Sequence, residues 1–297
     1  MRIGIDLGGT KTEVAAFTDE GEMLFRQREP TPSGHYDATL LLIQSLVRNA
    51  ELHCGSSGSV GIGTPGVLGS DTGLMRNSNS SCLNQRPLKK DLEIKLQRPV
   101  RLANDANCFA LSEAMDGAAR GLASVFGVIL GTGVGGGLVI NGRLVDGPNA
   151  IAGEWGHNPL PWPEDRERPG AACYCGKCGC IETFLSGPGL ERDFFKATGI
   201  NASAKKISID SLTDPVADSV MSAYENRLAK SLATVINVID PEVIVLGGGV
   251  SNISRIYENV PRLWGQWVFA PRVLTRLVQH QHGDSSGVRG AARLWAD

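Results

Sequence analysis

The chain opens with a mainly apolar, strand-like run at 3–7, broken by Gly8-Gly9-Thr10, and a second run follows from Glu13 to Phe17. After the polar turn Asp19-Glu20-Gly21-Glu22 a third run begins near Met23, so the pattern predicts a three-stranded meander. Leu40, Leu41, Ile43, Leu46 and Val47 then recur on one stripe, which predicts a helix over 37–52. Short buried strands are predicted at 60–62 and 100–102, running into Gly63-Thr64-Pro65-Gly66 and Asn104-Asp105-Ala106-Asn107. Strand ends that feed loops and helices are where α/β proteins place their chemistry.

Near residue 124 the opening pattern returns: an apolar strand at 125–130, the glycine turn Gly131-Thr132-Gly133, a strand at 137–140, the hairpin turn Asn141-Gly142 and a strand at 143–145. The same supersecondary unit is used twice, which predicts two halves, each with its own sheet and glycine turn, and a cleft between them. Residues 158–172 are polar and proline-rich, a loop. Beyond them Leu228, Leu232, Val235 and Ile236 mark a helix over 216–238, a buried strand at 243–246 ends at Gly247-Gly248-Gly249, and 287–295 suits a last helix.

A chain of 297 residues with 42% hydrophobic residues holds about two domains with proper cores, and a disordered or collagen-like chain is excluded. Lysine and arginine number 29 against 31 acidic residues, without a basic run, so nucleic acid is not expected as the main ligand. MRIGIDLGG lacks the charged and apolar regions of a signal peptide, and no apolar run approaches the roughly 20 residues of a membrane span. A soluble, cytoplasmic protein without a membrane partner is expected.

In a reducing compartment the four cysteines of CYCGKCGC, residues 173–180, suggest metal binding or catalysis more than disulfides. The spacing has too many thiols for a redox C-x-x-C motif and suits a zinc knuckle, with either four cysteines or three and a distant histidine as ligands. Cys54, Cys82 and Cys108 are scattered and read as small buried hydrophobes. The three glycine-rich turns each follow an apolar strand, where backbone N–H groups can approach a phosphate closely. Together they favour a nucleotide. A Walker pattern is absent, and 131–136 matches G-x-G-x-x-G in letters only, because a strand follows where a dinucleotide fingerprint needs a helix.

Asp6-Leu7-Gly8-Gly9-Thr10-Lys11, Gly61-Ile62-Gly63-Thr64-Pro65-Gly66, Asn104-Asp105-Ala106-Asn107, Gly153-Glu154-Trp155-Gly156-His157, the cysteine run ending at Glu182, and Gly247-Gly248-Gly249 occur in this order. Together they resemble the ROK family of bacterial sugar kinases over the whole chain. Within it, GEWGHNPLPW and HGDSSGVRGAA look most like the proteobacterial fructokinase (mannofructokinase) branch, and less like the N-acetylglucosamine kinase branch. The resemblance implies an α/β, actin/hexokinase-like (ribonuclease H-like) duplicated fold of two domains. Residues 1–116 with 282–297 would form a small α/β domain, and 117–281 a large one carrying the zinc knuckle.

The resemblance further implies ATP and Mg²⁺ as cofactors, with phosphoryl transfer to a hexose, most naturally D-fructose or mannose. N-acetylglucosamine or glucose is the alternative acceptor. Asp6 would sit beside the Mg²⁺-bound phosphates, with Gly8, Gly9, Thr10 and Lys11 lining the first phosphate turn, although a solvated surface charge is the simpler reading of Lys11. Gly131, Thr132 and Gly133 would line the second phosphate turn, and Gly247, Gly248 and Gly249 would pack near the adenosine. Asp105 matches the catalytic aspartate, since an ionised carboxylate can orient a sugar hydroxyl and take its proton. From spacing alone, Asn104, Asp105 or Asn107 could equally cap the following helix.

Asn104, Glu154, His157 and Glu182 match the sugar-contacting residues; a surface salt bridge is the simple reading of the two glutamates taken alone. The family pattern C-x-C-G-x-x-G-C-x-E makes His157, Cys173, Cys175 and Cys180 the ligands of a structural Zn²⁺, leaving Cys178 as an extra thiol that could compete with His157. The resemblance also implies a homodimer. Many relatives are repressors that use the same body as a sugar sensor, but those carry an N-terminal helix-turn-helix, whereas Ile3 already begins the first strand here.

Overall fold

The computed structural model describes residues 1–295. In chain order the first half contains β1 (Arg2–Leu7), β2 (Lys11–Phe17), β3 (Met23–Pro30), α1 (Tyr36–Cys54), β4 (Ser59–Thr64), β5 (Val67–Leu68), β6 (Met75–Arg76), α2 (Leu88–Leu96), β7 (Val100–Asn104) and α3 (Asp105–Met115). The second half continues with β8 (Ser124–Leu130), β9 (Val134–Ile140), β10 (Arg143–Leu144), α4 (Ile181–Leu185), α5 (Gly187–Thr198), α6 (Ala204–Asp210), α7 (Pro215–Ile239), β11 (Val243–Gly247), α8 (Arg255–Leu263), β12 (Arg276–Gln279) and α9 (Ser286–Arg293).

The repeat read from the glycine turns is present in the topology. One five-stranded sheet has the order β3-β2-β1-β4-β7 and the other β10-β9-β8-β11-β12, so each opens with a meander and closes with two crossover strands. In the first, β2 is antiparallel to β1 and β3, while β4 runs parallel to both β1 and β7. In the second, β11 runs parallel to β8 and β12.

Two compact units result. The first comprises Met1–Gly121, Gly137–Ala152 and the segment from Gln281 onward; the second comprises Leu122–Gly136 and Gly153–His280. The boundary crosses β9, so 117–121, 137–152 and Gln281 fall in the first unit, where the sequence reading had put them in the larger domain. The glycine turn after β8 is also shorter than expected. Strand β9 starts at Val134 instead of Gly137, and Trp155 Nε1 donates to Gly135 O at 3.1 Å across it.

In the first unit the inward faces of β1, β2, β4 and β7 share one core with the apolar stripes of α1, where Leu40, Ile43, Leu46 and Val47 are buried, and of α2, where Leu88 and Leu92 are. Each fully buried side chain of this size contributes about 1.5–3 kcal/mol, which is why a stripe at helical spacing suffices to dock α1. Helix α9 covers the opposite face with almost no side chain between. A Cβ on Gly4 would lie 1.9 Å from Val288 O, and one on Gly61 1.9 Å from Ala291 O. The glycines of β1 and β4 are therefore there to admit a helix backbone. In the second unit β8 and β11 are buried along their length, and α7 contributes Leu228, Leu232, Val235 and Ile236 to the core. Asp214 caps that helix by accepting from Val216 N at 2.9 Å, with Pro215 in its first turn.

Candidate active site and metal cluster

In the first unit the carboxyl ends of β1, β4 and β7 lie side by side: Asp6 is in register with Gly63, and Thr64 with Asn104. That edge gathers the chemistry-bearing motifs of the first half. Asn104 ends β7 and caps α3, its Oδ1 accepting from Asn107 N at 2.7 Å. This settles which of three residues is the cap and leaves Asp105 as the first residue of the helix. The Asn104 amide NH₂ makes no hydrogen bond among the described residues and is the group left to meet a ligand.

Asp105 accepts from Ala106 N at 2.8 Å through Oδ1. Loss of surrounding water raises its pKa, and the backbone N–H groups at the helix start lower it in part. Asp6 is pushed up to about 6, first by burial, then by the charges of Asp105 and Glu13, against the opposing pull of Lys11 and Arg28. Two carboxylates thus share one poorly solvated region, which suits a divalent cation and its phosphates. Lys11 is exposed at the start of β2, as the simpler reading held. Its charge still reaches Asp6.

The first glycine turn is closed by Gly8 N donating to Lys11 O at 3.0 Å, and Thr31 Oγ1 braces it by donating to Gly8 O at 2.8 Å. Thr31, at the end of the meander, carried no sequence signal for this role. In the second unit Gly131 N donates to Gly133 O at 3.0 Å and Gly187 N to Gly131 O at 2.8 Å, so the turn of Gly131, Thr132 and Gly133 rests on the start of α5. The run Gly247, Gly248 and Gly249 is its neighbour. Gly247 pairs with Ile129, and Gly248, with φ +82°, lies so near Leu130 that a Cβ would come within 2.5 Å of its carbonyl oxygen.

Glu182, in the first turn of α4, accepts from Val134 N at 2.9 Å, which ties the helix after the cysteines to the second glycine turn. Glu154 immediately precedes the short 3₁₀ turn Trp155–His157. That turn is held on β9 by the Trp155 bond and by an edge contact to Phe126, with ring centroids 5.9 Å apart. Partial burial, then the charges of Glu182, Glu154 and the neighbouring thiols, push the Tyr174 phenol up to about 12. Tyr174 itself was missed by sequence reasoning, although it stands between two of the cysteines.

His157, Cys173, Cys175 and Cys180 offer ligand atoms that all lie within 4.8 Å of one another. Cys173 Sγ is 3.6 Å from His157 Nδ1, and Cys175 Sγ is 3.6 Å from Cys180 Sγ. Thiolates on a tetrahedral zinc at about 2.3 Å are separated by about 3.8 Å, so the four donors fit that ion. Tyr174 Oη lies 2.9 Å from His157 Nε2 and fixes the ring, the kind of outer partner that orients a ligating imidazole. Cys178 is exposed, bridges to Ala172 through its backbone and stands outside the cluster. Behind the knuckle Glu167 accepts from Arg227 Nε at 2.6 Å and from the buried Lys230 Nζ at 2.9 Å, a network that sequence reasoning did not find because its members lie some 60 residues apart.

With fold and geometry in place, comparison with known proteins gives the class. The family model described as ROK matches residues 2–297, and the chain belongs to that family. It is 42% identical over 301 residues, covering 99% of this chain and 98% of the relative, to the N-acetyl-D-glucosamine kinase of Pectobacterium atrosepticum. Among solved structures it resembles the ROK hexokinase of Thermus thermophilus, with a TM-score of 0.87, 32% identity, and 98% and 96% of the two chains covered. It also resembles the ROK family glucokinase of Streptomyces griseus in complex with glucose and AMPPNP, with a TM-score of 0.79, 28% identity, and 99% and 98% coverage. The fructokinase-branch resemblance is therefore corrected: GEWGHNPLPW and HGDSSGVRGAA are short local matches, and full-length similarity outweighs them. No helix among the described residues is long and apolar enough to cross a membrane.

Proposed function

We propose that the chain is an ATP-dependent N-acetyl-D-glucosamine kinase. The observation that carries the reading is Asp105 at the first position of α3, with Asn104 acting as the cap, in a chain 42% identical end to end to an enzyme of that name. This replaces D-fructose by the acceptor that the sequence reading held as its alternative. Asp105 receives the proton of the attacking sugar hydroxyl, and its raised pKa makes it a better acceptor than a fully solvated carboxylate. Asn104, Glu154 and Glu182 supply donors and acceptors to the other sugar oxygens, and His157, with Nδ1 turned to the cluster, joins them through Nε2 when a sugar oxygen takes the place of Tyr174; a mismatched epimer would leave a polar group unpaired. The backbone N–H groups of the glycine turns at 8–11 and 131–133 take the phosphates, and 247–249 packs by the adenosine. Mg²⁺, when bound, neutralises charge on the transferring phosphoryl group, and Asp6 is the carboxylate placed to hold its water shell.

A coupled assay over N-acetyl-D-glucosamine, glucose, mannose and fructose with ATP and Mg²⁺ tests the reading. The highest kcat/KM is expected for N-acetyl-D-glucosamine. A preference for fructose would overturn the acceptor while leaving the kinase, and phosphorylation of none of the sugars would overturn both.

The four-ligand cluster is read as a closed, structural zinc site that braces His157 and Glu182 together. Cys178→Ser is expected to leave zinc bound at one equivalent by elemental analysis, whereas Cys180→Ser is expected to lose the metal and weaken sugar binding. Loss of zinc in Cys178→Ser would show that the spare thiol is a ligand after all.

A further inference from the structure

A cavity of about 540 Å³ lies wholly within the second unit, behind α4 and between α5 and α7. Its wall carries Arg166, Arg168, Arg192, Lys196 and Arg227 against only two carboxylates, Glu167 and Asp193. Both carboxylates are already consumed. Glu167 takes Arg227 on one oxygen and Lys230 on the other, and Asp193 Oδ2 accepts from Arg227 Nη1 at 2.6 Å. Arg166 is paired with Glu164 at 2.6 Å.

The remaining cations are only loosely paired, Arg192 with Asp193 and Arg168 with the exposed Asp165. Arg192 and Lys196 stand four residues apart on α5, hence on one face of the helix. Lys196 makes no ion pair among the described residues, and the nearest anions to Arg192 and Arg168 are at 3.7 and 3.5 Å. Arg192 is held in place by Nη2 donating to Thr183 O, yet its Nε is buried without a hydrogen-bond partner. Phe184 lines the same cavity but is buried, and Arg227 covers its ring at 5.3 Å.

We propose that this cavity is a binding site for a phosphoryl group, held by Arg168, Arg192 and Lys196. A carboxylate would answer one of the three cations, whereas a phosphate monoester carries about −1.5 to −2 charge and three acceptor oxygens. The site involves none of the residues assigned to catalysis and does not depend on which sugar the enzyme phosphorylates.

Calorimetric titration of the full chain with inorganic phosphate and with N-acetylglucosamine 6-phosphate, each in excess AMPPNP and Mg²⁺ so that the glycine turns are occupied, tests it. Lys196→Gln and Arg168→Gln, both at exposed positions, keep Arg192 and its bond to α4 intact, and their melting temperatures verify the fold. Saturable binding is expected, weakened about fivefold by each substitution, as for the loss of one partly solvated charge contact. Tighter binding of the sugar phosphate identifies a phosphorylated sugar as the ligand, and equal binding identifies free phosphate. No saturable binding of either probe, or undiminished binding in the double variant, overturns the site.

Discussion

Asp105→Asn is expected to lower kcat by about 10²–10⁴-fold, the range for loss of a positioned proton acceptor, with the KM for sugar changed by only a few-fold. The amide keeps the size of the carboxylate and can still accept from Ala106 N, so the local backbone is preserved. It cannot take the proton of the attacking hydroxyl. The geometry removes the usual ambiguity of such a variant, because the cap of α3 is Asn104 and remains intact. A melting temperature equal to that of the parent, together with the lost turnover, would assign the residue to chemistry. Turnover within about tenfold of the parent would remove Asp105 from the mechanism, since water would then be an adequate acceptor.

Asp6→Asn is expected to raise stability at pH 8 in the absence of nucleotide and divalent cation, while abolishing or severely reducing kinase activity. The sign follows from the direction of the shift. The folded-state pKa of Asp6, about 6, lies above its ordinary value of 3.8, so folding favours the protonated form. The stability contributed by the neutral carboxyl is present in full below pH 3.8 and is lost as pH rises through about 6. Asn cannot ionise and avoids that loss. The gain is at most about 3 kcal/mol at pH 8, from a shift of roughly two units at 1.36 kcal/mol each, and it vanishes toward pH 4. Urea unfolding at both pH values measures it. A variant less stable than the parent at pH 8 would mean that the charged carboxylate is satisfied by partners and that burial does not set its pKa.

The two predictions draw on residues whose legibility in the sequence differed. Asp6, near the end of β1, and Asp105, directly after β7, lie at strand ends that the apolar pattern marked, but their roles were legible only through the family resemblance carried by the order of motifs. The choice of cap among Asn104, Asp105 and Asn107 was not legible, since all three are competent and only the helix start distinguishes them. The cysteine spacing suggested a metal knuckle, and the family resemblance implied His157 as its fourth member; the structure brings the four residues together. Tyr174, Thr31 and Glu167 were silent, each acting through a partner distant in sequence or through a side-chain angle that no local pattern encodes. The branch was misread because GEWGHNPLPW and HGDSSGVRGAA are short, and similarity over the full length to an N-acetyl-D-glucosamine kinase outweighs them.

By itself the sequence determined the duplicated meander, the positions of the glycine turns and the apolar stripe that docks α1. These follow from periodicity and from backbone freedom, which are properties of neighbouring residues. Only the tertiary structure decided that the unit boundary passes through β9, that Gly4 and Gly61 make room for the backbone of α9, and that Glu182 closes onto Val134 of the second glycine turn. It also gathered Arg168, Arg192 and Lys196 around a cavity whose two carboxylates already pair with Arg227. Steric fit and charge balance of this kind depend on which distant segments are brought into contact, and that information exists only once the chain has folded.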